Sequence, residues 1–159
     1  MNEILNLIWI TLFPLLELRG SIPYGILKGG LSWPVVFVVC VIANILVIPI
    51  TFFILDYFHK YFVRIKIYKK IIEGSIERGR KQIEQRIGTK WEFIALALFV
   101  GVPLPMTGAY SGTLIAWFFK LNRRKAYIAL SLGVLIAGII VTIITITGAE
   151  AFRFLIKLI

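Results

Sequence analysis

Two ionisable residues stand where charge is costly. Glu17 and Arg19 lie inside an otherwise apolar stretch, residues 4–27, and are the only charged residues interior to any of the chain's four apolar blocks. On insertion scales such a group at bilayer depth costs at least ~2.5–3.5 kcal/mol, so its presence argues for use. A glutamate there can titrate as a coupling carboxylate. An arginine keeps its charge and can hold an anionic group. The alternative is that the two pair with each other or satisfy the ends of broken helices. Burial and a neighbouring cation act on the Glu17 pKa in opposite senses, so residue type alone leaves the choice open.

The second candidate constellation carries no charge. In residues 103–112, Pro103 and Pro105 lack N–H groups and break a helix, while Thr107 and Ser111 can bond the backbone groups that are freed. Where the helix restarts, exposed N–H groups suit an anion or a polar headgroup. Gly108 and Gly112 also form a small-xxx-small packing pattern, as do Gly133 and Ala137. Pro14, Gly20 and Pro23 interrupt the first block in the same way. Asn44, in the middle of a clean apolar run, is either interhelical glue or a site lining. A single histidine, His59, and a single cysteine, Cys40, supply no metal-ligand cluster, disulfide or nucleophile–base pair. The expectation is a protein that is not an enzyme and takes no cofactor or metal.

The elements that must position these residues are membrane helices. Of 159 residues 59% are hydrophobic, and the mean hydropathy is +0.90, too little polar surface for a soluble domain of this size. Residues 31–55 and 126–149 are uncharged runs of 25 and 24 residues. About 20 residues at ~1.5 Å rise cross a ~30 Å hydrocarbon core, so each run spans. The net charge of +10 does not indicate nucleic acid: ten of the eighteen basic residues fall between Lys60 and Lys90, beside a span, where anionic headgroups and the positive-inside rule account for them. Residues 56–92 read as a cytoplasmic amphipathic helix or helical hairpin, with Phe58, Phe62, Ile65, Ile72 and Ile76 on one face. Residues 150–159 form an amphipathic tail. The N-terminus, with Glu3 and no small-residue cleavage site, does not read as a secretory signal.

Block order repeats: broken segment, basic loop, clean span, then the same again. Residues 4–27 and 93–119 are each either a kinked span or a hairpin that leaves on the side it entered. The loop carrying Lys120, Arg123, Arg124 and Lys125 decides for hairpins, because only then does it share the cytoplasmic side with residues 56–92. The expected fold is therefore an all-α integral membrane domain over 1–159. Two inverted re-entrant hairpins are each followed by a transmembrane helix and are joined by the basic linker. It is multi-pass in the cell membrane, with 56–92 and 120–125 cytoplasmic.

The segments 17–23, Glu-Leu-Arg-Gly-Ser-Ile-Pro, and 103–112, Pro-Leu-Pro-Met-Thr-Gly-Ala-Tyr-Ser-Gly, resemble the small multidrug export family, which looks like a distant branch of the DedA/VTT superfamily. Glu17 and Arg19 match its first motif; Pro103, Pro105, Thr107 and Gly108 match its second. The resemblance implies re-entrant loops in inverted arrangement and ion-coupled transport or lipid translocation. The DedA branch carries arginines in its second re-entrant region, whereas residues 93–119 are uncharged here, which argues against a lipid phosphate. The expected activity is proton- or sodium-coupled export of a small amphipathic molecule or lipid. The expected partners are the bilayer, that substrate, the coupling ion and a second copy of the chain. The rival reading is a membrane scaffold that recruits a partner through residues 56–92.

Overall fold

Prolines and glycines cut the chain where the sequence says they should. The computed structural model describes residues 3–62, 90–104 and 107–157. Among these are six helices and no strand: α1 (Glu3–Leu12), α2 (Glu17–Leu27), α3 (Trp33–Phe62), α4 (Lys90–Gly101), α5 (Ala109–Phe118) and α6 (Arg123–Lys157). Pro14 opens a single turn, Phe13–Leu16, in which the Leu16 and Glu17 N–H groups donate to the Phe13 carbonyl at 3.0 and 3.1 Å. Pro103 follows the end of α4, as the bias of a pre-proline residue against helix requires. After α5 the Lys120 backbone is left-handed, φ 52°, and the Leu121 N–H returns to the Ala116 carbonyl at 3.0 Å. That is a Schellman ending with lysine where glycine is usual.

Helix length separates two classes. α3 and α6 have 30 and 35 residues, and each holds a span-length apolar window. α1, α2, α4 and α5 have 10 to 12 residues, about 15–18 Å at ~1.5 Å per residue, or half a hydrocarbon core.

Contacts fix the directions. α3 and α6 run antiparallel: Gly138 packs on Val41 and Phe37, the Phe52 and Tyr127 rings lie 5.3 Å apart, and Arg123 meets Asp56. α1 and α2 are also antiparallel, since the Tyr24 hydroxyl donates to the Glu3 carboxylate at 3.2 Å and Gly25 sits against Leu7. α4 runs with α6, its Ala97 and Val100 against Gly133 and its Gly101 against Ile136. α5 returns beside them, with Gly112 on Val100 and Leu130. Lys90 and the 119–122 loop therefore lie at the Asp56 end of the bundle, and Gly29 and Gly148 at the other.

The core threads between the long helices through Leu7, Ile22, Val36, Ile48, Leu130 and Val134, all fully buried. The outward faces are just as apolar. Ile42, Leu46, Ile50 and Phe53 on α3, and Ile128, Leu132, Leu135 and Ile139 on α6, recur at steps of three or four and are exposed. A soluble monomer does not present such stripes; hydrocarbon is their natural solvent. Among the described residues five of the six buried hydroxyls satisfy themselves locally, and Thr51 is the exception. Thr11, Ser21, Thr113, Thr142 and Thr145 each donate to the carbonyl four residues back.

Element boundaries differ from expectation at the ends of the long helices. Residues 56–62, assigned to a separate cytoplasmic helix, continue α3, because no breaker follows Leu55 and the long side chains Tyr57, His59 and Lys60 can reach the headgroups from a continuous helix. The rest of that helix, residues 63–89, lies outside the described residues. At the other end, α6 begins at Arg123 and runs through Lys157, absorbing most of the expected tail.

Candidate functional site at the meeting of the hairpin tips

Glu17 is held in a conformation that a glutamate does not choose. Its φ is 44°, in the left-handed region, where a residue with a Cβ is strained by about 1 kcal/mol or more. The turn that Pro14 initiates forces this geometry, and the result is that the carboxylate leaves α2 and crosses to α5. There Oε2 accepts the Ala109 N–H and Oε1 the Tyr110 N–H, both at 3.3 Å. These are orphan donors of a helix start. The N-cap residue, Gly108, has no side chain to serve them, and its own N–H donates to Ser111 Oγ at 2.9 Å. Glu17 is thus a charged cap supplied from another element, facing the positive end of the α5 dipole.

Gly108 is required by space rather than by backbone. Its φ of −173° is extended and open to any residue, but a Cβ there would overlap the Glu17 carboxylate, 2.6 Å from its Cδ.

The tips serve each other in return. The Tyr110 hydroxyl donates to the Leu12 carbonyl at 2.6 Å, satisfying an orphan acceptor at the end of α1. Arg19 Nη2 donates to Thr107 Oγ1 at 2.8 Å. Thr107 Oγ1 itself faces the Val102 and Leu104 carbonyls, each at 2.8 Å, which tightens the second tip. Glu17 and Arg19 are not paired with each other: the carboxylate faces the α5 amides and the guanidinium faces Thr107. Of the alternatives open from sequence, satisfaction of helix ends describes Glu17, and the ion pair does not form.

Asn44 completes the site. α2 and α3 run antiparallel with Gly25 against Val36 and Ser21 beside Cys40, so the same register brings Asn44 level with Glu17. Asn44 is 1% exposed, and its Oδ1 has no partner. It falls eleven residues into α3, about 17 Å along the helix, near the middle of the span. An open cleft of about 160 Å³ lies between the tips, lined by Pro14, Glu17, Arg19, Thr107, Tyr110 and Ser111 among others.

The structure thus gathers Pro14, Glu17, Arg19, Asn44, Thr107, Gly108 and Ser111. It does not gather the rest. Gly20 packs on its own turn at Leu16, and Gly112 admits Val100 and Leu130, which is the packing role. Pro23 sits inside α2, beyond the tip, and Pro103 precedes the second tip; Pro105 lies outside the described residues. Tyr110 was missed. The signal was present, since a tyrosine recurs after a glycine in both broken segments. A second cluster was also missed, at the Asp56 end. There Asp56 Oδ1 accepts from Arg123 Nη2 at 2.7 Å and from Trp117 Nε1 at 3.0 Å, beside a pocket of about 300 Å³.

Neither a curated protein nor a solved structure matches the chain significantly. The family described as "Putative small multi-drug export protein" matches residues 17–140, from the tip carboxylate to the middle of α6. A membrane-type helical chain whose two tip motifs both fall within that match belongs to this family of small export proteins.

Proposed function

We propose that the protein is a small secondary transporter that exports an amphipathic molecule in exchange for a coupling ion, with Glu17 as the coupling carboxylate. The family supports export at the coarse level. The observation that carries the finer reading is the tip site. Two charged side chains stand near the middle of the apolar bundle, and both bind the opposite hairpin. The half-span length of α1, α2, α4 and α5, and the placement of Lys90 and the 119–122 loop at one end, support re-entrant hairpins. The antiparallel α3 and α6, each preceded by its hairpin, support an inverted repeat, an arrangement that places transport sites near the midplane.

In this reading Arg19 and the cleft contact substrate, while the Glu17 bonds to α5 hold the tips together. Protonation of Glu17 weakens charge-assisted bonds to neutral ones, about half as strong, and lets the hairpins part. Two copies complete the apolar outer faces, and residues 60–90 and 120–125 face the cytoplasm. The test is dye transport, with ethidium as probe, into everted vesicles under an imposed proton gradient. Wild-type vesicles accumulate dye; Glu17→Gln, correctly folded, does not. Wild-type accumulation by Glu17→Gln removes the mechanism.

A further inference from the structure

The mechanism above needs a place for the bond that Glu17 makes once it is neutral, and the buried groups supply one. Asn44 Oδ1 is a hydrogen-bond acceptor with no partner, on a side chain that is 1% exposed. An unmade buried hydrogen bond of this kind is rare in a native structure and asks for an explanation. The register of α2 on α3 puts the same amide level with Glu17, since Gly25 packs on Val36 two turns further along the same two helices.

An asparagine carries both signs of hydrogen bond. With Glu17 ionised, Nδ2 is the useful end, because a carboxylate only accepts. With Glu17 protonated, the new O–H needs an acceptor, and on the side of the carboxyl away from the cleft, where Asn44 is 1% exposed, the protein must supply it. The Ala109 and Tyr110 amides are donors and cannot take it. Arg19 is a donor as well. From α2 the charged group near Glu17 is Arg19, and from α5 the titratable group is the neutral Tyr110 hydroxyl, which already donates to the Leu12 carbonyl. Neither α1, α3, α4 nor α6 carries a charged side chain at that level among the described residues. Asn44 Oδ1 is the acceptor at hand, and because it has no partner, turning the amide over breaks no bond on that side.

We propose that Asn44 is the switching partner of Glu17: its Nδ2 donates to the ionised carboxylate, and its Oδ1 accepts from the protonated one. The proton comes from a hydronium ion in the cleft: one of its O–H bonds breaks as the O–H bond to a carboxylate oxygen forms, and a neutral water is left behind. The gain of the Oδ1 bond offsets the weakening of those to α5, so the neutral state persists long enough for the tips to separate. Asn44 touches the coupling group and not the substrate, so it is a positioning residue. This inference rests on Glu17 being the group that titrates.

The experiment is an infrared pH titration of the full chain in lipid nanodiscs, following the C=O stretch of a protonated carboxyl. Glu17→Gln assigns the band by removing it. In wild type the band has the lowered frequency of a carboxyl whose O–H is hydrogen-bonded. In Asn44→Leu it moves to higher frequency, and Asn44→Ala, which adds no bulk, gives the same shift if the leucine variant fails to fold. A Glu17 band unmoved in both variants overturns the role of Asn44 alone. The absence of any Glu17 band across the range in which the protein stays folded overturns the coupling reading beneath it.

Discussion

Glu17→Ala and Gly108→Ala attack one interaction from its two sides, and their costs should not add. Alanine at position 17 removes the acceptor for two amides. Ala109 is 0% exposed, and an orphaned buried donor costs about 1–3 kcal/mol. Tyr110 borders the cleft, so water recovers part of its bond. Loss of the charge at the α5 N-terminus adds about 0.3–1 kcal/mol. The sum is about 2–4 kcal/mol. Alanine at position 108 leaves the carboxylate intact but occupies its seat, so the same two bonds are lost at a similar cost. In the double variant the new Cβ at 108 fills space that the carboxylate no longer needs. The double variant should therefore be little worse than Glu17→Ala, giving a coupling energy close to the cost of Gly108→Ala alone, about 2–4 kcal/mol. Reversible unfolding in mixed detergent micelles measures all four proteins. Costs that add to within about 0.5 kcal/mol would refute the trans-cap.

Backbone strain at the same residue makes Glu17→Gly about 1 kcal/mol more stable than Glu17→Ala in the same assay, because glycine accepts a positive φ freely. Lys120→Gly should stabilise the protein by up to about 1 kcal/mol, the relief of left-handed strain less the entropy that glycine adds to the unfolded chain, and a lowered midpoint would count against the left-handed ending of α5. Gly133→Ala should cost about 1–3 kcal/mol by overpacking, since its Cβ would come 2.7 Å from the Ala97 carbonyl oxygen, a backbone atom with no room to yield. At the Asp56 end the ion pair is half-exposed, so Arg123→Ala should cost no more than about 1 kcal/mol. Asp56→Ala should cost more, by about 0.5–1.5 kcal/mol, because the Trp117 indole also loses its acceptor; Trp117 emission reports the change.

The helical class and the positions of the breaks were legible because they depend on local chemistry. Pro14, Pro103 and the long uncharged runs act through their own residues and near neighbours. Glu17 and Arg19 were visible as charges in an apolar segment, and Thr107, Gly108 and Ser111 as a polar turn. What they touch was not visible. The Glu17 bonds to Ala109 and Tyr110 join residues more than ninety positions apart, and no spacing rule carries a contact over that distance. Gly108 looked like a flexible or packing glycine, but its extended φ gives no hint of the requirement; only the carboxylate above it does. The Asp56 cluster escaped because each member looks ordinary alone. Asp56 stands at a helix edge, Arg123 in a basic loop and Trp117 at an interface, and the antiparallel register of α3 and α6 brings them together. The expected end of the first span at Leu55 came from reading charge as a boundary, whereas backbone hydrogen bonding carries α3 on to Phe62.

Topology tests the account most directly, because the tip site requires that both hairpins return to the side they entered. In a Cys40→Ala background, single cysteines at Gly29, Asn122 and Gly148 are exposed to an impermeant thiol reagent on intact cells. The account predicts labelling at Gly29 and Gly148, with Asn122 protected until the cells are opened. Labelling at Asn122 with protection at Gly148 would make residues 93–119 a full span, placing the two basic segments on opposite sides and contradicting the structure described here.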